Sequence, residues 1–326
     1  MIQQVYDAEY EKKLAEIFDK FMPEKIYDAH FHICKDYALK TGYTGDPYDQ
    51  YTEFMQKYLC RKIAGGLVMA SPSTKHTPEM LDFENEYILD LAKREKLEVG
   101  LLMMPSYTAE KTEKMMSAHP EIKALKPYLT YSTAKDIYES DIFEFAPEWM
   151  WQYAHEREMP VILHLSHYQN MLYDKNNVRD LRYISKKYPK AKIVLAHCAM
   201  GHHLQKFKWG LDAITDLKNI WFDCSGSAEA LTIYYAIKAF GAERMLYGDD
   251  FNHGATPGRI VSFGSNFFGF HPYFITNTEE VPDYRYQPMD NARECLLALV
   301  EACELLKPSK SDINKIFYEN AVNIYK

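Results

Sequence analysis

The chain has no apolar run near the roughly 18 residues that a membrane span requires. Its longest clean stretch, residues 63–70, has the length of a buried strand. Clusters of basic residues are also missing. With 38 Lys and Arg against 46 Asp and Glu, the net charge is −8, so an extended cationic surface for nucleic acid is not expected. The six cysteines, at 34, 60, 198, 224, 295 and 303, form no C-x-x-C pair and no close framework. Scattered through a chain of this length, they read as free thiols in a reducing compartment. The opening segment MIQQVYDAEYEKKLAEIFDKF carries charge throughout and lacks the basic and apolar regions of a secretory signal, so a cytoplasmic location is the expectation. There is no internal repeat, no low-complexity linker, and no G-x-S-x-G, P-loop or EF-hand pattern.

Apolar and aromatic material is plentiful. Hydrophobic residues make up 47%, with 26 Tyr, 17 Phe and 4 Trp, which excludes a disordered chain. Eight short apolar runs recur along it: Ile26–Tyr27 leading into DAHFH, then residues 64–70, 99–104, 123–129, 161–164, 193–197, 220–224 and 245–247. Runs of this kind suit strands buried on both faces. Helix signals lie between them. Thr77-Pro78 reads as an N-cap with proline at the first helical position. Val178, Leu181, Ile184 and Tyr188 share a face that ends before Pro189. Ala292, Cys295, Leu296, Leu299, Cys303 and Leu306 form another stripe, closed by Pro308. Ile313, Ile316, Phe317, Ala321 and Ile324 mark a last helix.

Strands alternating with helices imply parallel pairing. Closure into an α/β fold of the (β/α)8 TIM-barrel type accounts for eight of them, in one domain spanning residues 1–326. An open doubly wound sheet would want a glycine-rich phosphate turn after the first strand, and DAHFHICKDY has none. A plain barrel needs about 250 residues. The surplus falls in an N-terminal helical extension (1–25), in residues 34–51 after the first strand, and in a long segment (251–289) after the eighth. The last two would sit over the C-terminal mouth.

His30 and His32 are two apart, so a strand puts both rings on one face. His164 ends the run VILH, His197 ends IVLAH, and Asp250 follows MLYGD. Ionisable residues thus stand at the C-terminal ends of strands one, five, six and eight. Unpaired there, each would carry a desolvation cost of several kcal/mol. A shared metal ion is the partner that suits all of them. Asn320, on the apolar face of the last helix, reads as a structural residue that satisfies backbone groups beneath the barrel.

In this order, DAHFH, ILH, VLAHCAMG, IWFDCSG, LYGDDF and FYENAVNIY resemble the amidohydrolase-related (amidohydrolase 2) branch of the amidohydrolase superfamily, over nearly the whole chain. The resemblance implies a barrel of the metal-dependent hydrolase type with one divalent metal at its mouth. It matches the family's ligands to His30, His32, His164 and Asp250, and its strand-six histidine to His197. The family's usual Gly-Ser-Asp stands here as Gly248-Asp249-Asp250, which leaves Asp249 as the alternative to Asp250. The mixed N/O donor set suits Zn²⁺, with Mn²⁺ and Fe²⁺ as alternatives. Asp250 would serve as general base, and His197 as acid, carbonyl polariser or extra ligand. Lys126 on strand four, His253 and Arg259 are candidates for contacting substrate. Cys198, following His197, would point away from His197's face by strand alternation. The leading expectation is a metal-dependent hydrolase of a small carboxylate-bearing or cyclic compound, a lactone or amide. The alternatives are a non-oxidative decarboxylase of an aromatic or unsaturated acid, or a catalytically silent metabolite-binding barrel. The partner is a small-molecule substrate, with neither nucleic acid nor membrane; a homo-oligomer is left open.

Overall fold

Eight strands lie parallel and in chain order: β1 (Tyr27–Ile33), β2 (Gly65–Ala70), β3 (Glu98–Met103), β4 (Ile122–Pro127), β5 (Pro160–Leu163), β6 (Lys192–Leu195), β7 (Ile220–Asp223) and β8 (Met245–Leu246). This computed structural model describes residues 8–34, 45–59, 61–168, 170–270 and 289–326. The ring closes through backbone bonds between the last strand and the first. Ala29 N–H donates to the Tyr247 carbonyl (2.9 Å), and Asp250 N–H to the His30 carbonyl (2.8 Å). The result is the (β/α)8 barrel expected from the eight apolar runs.

Helices cover the outside: α1 (Ala8–Phe21), α2 (Pro47–Leu59), α3 (Pro78–Glu95), α4 (Ala109–Ala118), α5 (Glu148–Glu156), α6 (Lys175–Lys187), α7 (Leu204–Asp212), α8 (Ala230–Phe240) and α9 (Asn291–Leu306). Helix α3 starts as its sequence signals, with Thr77 Oγ1 accepting from Met80 N–H and Pro78 at the first position. Among the described residues no helix is long and apolar enough to cross a membrane.

Packing divides into two cores. Tyr27, Ala29, Leu67, Met69, Ala124, Ile162, Val194, Ala196 and Leu246 fill the barrel interior. Phe31, Val68, Leu125, Leu195, Phe222 and Tyr247 pack outward under the helices. Strand alternation sorts the two sets, with one break. The β1–β2 register shifts between Asp28 and Phe31. Tyr27 and Ala29 therefore face inward below the shift, and His30 and His32 face inward above it.

The C-terminal segment plugs the base. Ala321, Ile324 and Tyr325 join the interior core, and Tyr325 stacks on Tyr27 with ring centroids 6.3 Å apart. The expected last helix runs without a break over residues 310–325 and carries a π turn at Lys315–Glu319. Asn320 Nδ2 donates to the Ala242 and Met245 carbonyls, both at 2.8 Å.

Two expectations need correction. The segment read as a mouth loop to residue 51 is helical from Pro47, and Tyr51 of α2 stacks on Phe31 at 4.2 Å. Residues 35–44 lie outside the described part. The long segment after β8 is also not all loop. It carries an antiparallel hairpin, β9 (Arg259–Phe263) and β10 (Asn266–Phe270), whose apolar alternation was hidden among aromatic and glycine residues. Residues 271–288, His271 included, lie outside the described part.

Candidate metal centre

His30, His32, His164 and His197 meet inside the mouth, all less than a tenth exposed. Each is held by its Nδ1. That of His32 lies 2.8 Å from the Ala70 carbonyl, that of His164 3.1 Å from the Leu165 carbonyl, and that of His197 2.9 Å from the Ser225 carbonyl. A carbonyl only accepts, so the hydrogen sits on Nδ1 and Nε2 keeps a lone pair. His30 Nδ1 faces the Asp223 carboxylate at 3.0 Å, with the same consequence. Anchoring Nδ1 on a carbonyl or carboxylate is how proteins aim Nε2 at a metal.

The lone pairs converge. His30 Nε2 and His32 Nε2 are 3.3 Å apart, and Asp250 Oδ1 lies 3.7 Å and 3.8 Å from them. Two imidazole acceptors and a carboxylate facing one another repel unless a cation or proton lies between them. Donors about 2.1 Å from a tetrahedral zinc stand about 3.4 Å from one another, so the triangle has the size of a metal site. His164 reaches the same mouth, its ring 5.2 Å from that of His197, but stands outside the tight triangle. Burial, reinforced by the Lys126 ammonium, holds His32 and His164 down to about 3. Burial also places His30 and His197 well below the usual histidine value. All four rings are therefore neutral at pH 7, and the His30 Nε2 lone pair meets the Lys126 ammonium at 3.3 Å.

Contacts separate the two aspartates. The strand ends at Leu246, and Asp250, with left-handed backbone (φ 57°), sets its carboxylate by His30 and His32. Asp249 instead sits by Asp28: its N–H donates to Asp28 Oδ1 (3.2 Å), and its own Oδ1 accepts from Phe251 N–H (2.9 Å). Glycine is required at 248 because a Cβ there would stand 2.8 Å from His30 Cβ.

His197 also leaves strand alternation. Ala196 still faces the interior, so alternation would turn the next side chain outward. The backbone instead leaves the strand in a left-handed turn, with φ of 56°, 48°, 57° and 56° at His197, Cys198, Ala199 and Met200. Each such non-glycine residue costs roughly 1–2 kcal/mol, strain of a kind that collects at functional sites. The turn brings His197 back over the mouth. It also removes the premise that strand alternation sets the direction of Cys198. Opposite it, Gly226 (φ 62°) would carry a Cβ 3.0 Å from His197 Nδ1.

Asp223 is a residue of the candidate site that the sequence reading passed over. Besides holding His30, its Oδ1 accepts from the His197 and Ser225 N–H groups (both 3.1 Å) and from the Ser225 hydroxyl. The available signal was a carboxylate ending the seventh apolar run, the same placement that singled out His164.

A cavity of about 410 Å³ opens above the histidines, walled by Tyr128, Tyr168, Phe251, Phe267 and Ile260, with His202 and His253 also on its surface. Of the residues expected to touch substrate, His253 lines it. Lys126 and Arg259 do not. Lys126 is fully buried beneath, its Nζ 3.3 Å from His30 Nε2; burial lowers it to about 8 against the pull of Asp223 and Asp250. Arg259 is committed to the Ala228 carbonyl (2.7 Å) and to Glu294 (3.5 Å).

The architecture is shared with solved structures at low identity. An amidohydrolase from Burkholderia multivorans is 13% identical with a TM-score of 0.59, over 92% of this chain and 99% of that one. A 2,6-dihydroxybenzoate decarboxylase from Rhizobium is 13% identical with a TM-score of 0.57, over 93% and 99%. A 5-carboxyvanillate decarboxylase from Sphingomonas paucimobilis is 11% identical with a TM-score of 0.54, over 93% and 99%. No curated protein matches the chain in sequence. The amidohydrolase family profile matches residues 134–326, the part that carries His164, His197, Asp223 and Asp250, and by this match the chain belongs to the amidohydrolase family, in its amidohydrolase 2 branch.

Proposed function

We propose that the chain is a metal-dependent hydrolase of a small cyclic or carboxylate-bearing compound, a lactone or an amide. His30, His32, His164 and Asp250 would hold one divalent cation, Zn²⁺ by the chemistry of the donors. The observation that carries this is the pair of anchored imidazoles, His30 and His32, whose Nε2 lone pairs face the Asp250 carboxylate. The cation, when bound, supplies a water acidified toward a pKa of about 7.

Asp250 is placed to take the proton from the attacking water and return it to the leaving oxygen or nitrogen. His197 offers a lone pair rather than a hydrogen, because its Nδ1–H is spent on Ser225. That favours a role as an extra ligand or proton acceptor over one as carbonyl polariser. The aromatic cavity walls hold a planar substrate over the site and exclude water.

The aromatic walls also favour a second reading, non-oxidative decarboxylation of an aromatic acid, and two of the solved structures of like fold are decarboxylases. There Asp250, in its acid form, would give its proton to the ring carbon, the electron pair of the breaking C–CO₂ bond restores the ring as carbon dioxide leaves, and solvent returns a proton to Asp250. The test is a panel of lactones, amides and hydroxybenzoates given to the zinc-loaded protein, with carbon dioxide trapped. Hydrolysis without carbon dioxide supports the first reading. Carbon dioxide from a hydroxybenzoate selects the second, and turnover of none contradicts both.

A further inference from the structure

The mouth cavity has a polar pole that the proposed metal chemistry does not use. His202 follows the left-handed turn through Gly201, which is packed too tightly for a side chain: a Cβ there would meet Thr232 Cγ2 at 2.4 Å and Phe207 Cδ2 at 2.7 Å. His202 is thereby fixed in the cavity wall, 3% exposed. Its Nε2 is buried and has no hydrogen-bond partner, an arrangement that costs stability unless a ligand supplies the bond. The ring packs 5.0 Å from Phe267; Phe267 stands 6.3 Å from Tyr168, and Tyr168 6.0 Å from His164. A run of ring contacts thus links His202 to His164, whose charge His202 is near enough to affect, and His253 acts on that of His202.

We propose that His202 is a specificity-determining residue that hydrogen-bonds a neutral ring substituent, a hydroxyl or carbonyl oxygen, of a planar ring substrate held in the mouth. The proposal rests on the reading of the mouth as the reaction site. Burial, with His253, pushes His202 down to about 4, so at neutral pH the ring offers a hydrogen bond and no countercharge. A second carboxylate would want a cation there, and the described cavity wall contains no Lys or Arg. Tyr168 and Phe267 supply the faces between which a ring lies.

Calorimetric titration of the zinc-loaded wild type, His202→Phe and His202→Gln with benzoate, 3-hydroxybenzoate and 4-hydroxybenzoate tests this. The wild type should bind one hydroxybenzoate about tenfold or more tightly than benzoate. His202→Phe should bind benzoate as before and lose that preference, and His202→Gln should keep part of it. The Tm of His202→Phe should not fall, since no protein hydrogen bond is lost. An unchanged preference in His202→Phe, no binding of any probe to wild type, or a marked fall of Tm in both variants overturns the proposal. Metal content of the same samples separates the two readings. Failure to hold zinc removes the metal centre, whereas a zinc-loaded chain indifferent to the ring hydroxyl removes only the role of His202.

Discussion

The two ends of the barrel treat buried polarity in opposite ways. At the base, Asn320 spends its amide on the Ala242 and Met245 carbonyls, and the Tyr27 hydroxyl donates to Glu98 at 2.9 Å. Donor meets acceptor, and the groups close the barrel. At the mouth, acceptor meets acceptor: the His30 and His32 Nε2 atoms and Asp250 Oδ1 face one another within 3.8 Å, with the Lys126 Nζ donor 3.3 Å from His30 Nε2. The base needs no ion, though the buried Tyr325 hydroxyl there has no partner, while the mouth is arranged for a cation. Substitutions at the base should therefore change stability and leave metal binding alone, and those at the mouth should do the reverse.

The largest effect is expected for His30→Ala, which removes a ligand from the centre of the cluster. Metal analysis should find no retained ion and assays no turnover. Retention of a full equivalent would break the contrast. Asp250→Asn should keep the metal, because an amide oxygen still coordinates, yet lose about 10²–10⁴-fold in turnover; near-normal turnover would remove Asp250 as the proton carrier. Asp223→Asn weakens the anchor of His30, and metal affinity in a chelator competition should fall about 10–100-fold. The smallest effect belongs to the base. Asn320→Ala should lower unfolding stability by about 1–3 kcal/mol in a denaturant titration and leave metal affinity unchanged.

The mouth was legible where it follows strand periodicity. Spacing two put His30 and His32 on one face, and His164 and Asp250 stood at the ends of apolar runs; that His30 and His32 face inward depends on the β1 register shift between Asp28 and Phe31. Asp249 and Asp250 look alike as letters, and the structure separates them where the backbone leaves the strand, Asp250 having a φ of 57°. Legibility stopped where the backbone departs from the strand. His197 faces the mouth through a left-handed turn that no propensity of Ala196, His197, Cys198 or Ala199 announces. The hairpin over the mouth was hidden because its pairing is non-local in a segment that reads as loop. Asp223 was visible at a strand end, but its role depends on His30 Nδ1, 193 residues away in sequence, and only the closed barrel makes the two neighbours.

The most direct test of the account is zinc K-edge X-ray absorption on the zinc-loaded wild type beside His32→Ala. The account predicts one zinc per chain in the wild type, bound by several imidazoles and a carboxylate oxygen, with one imidazole fewer, or no bound zinc, in the variant. A wild-type chain that takes up no stoichiometric zinc, or holds it without imidazole scattering, would contradict it.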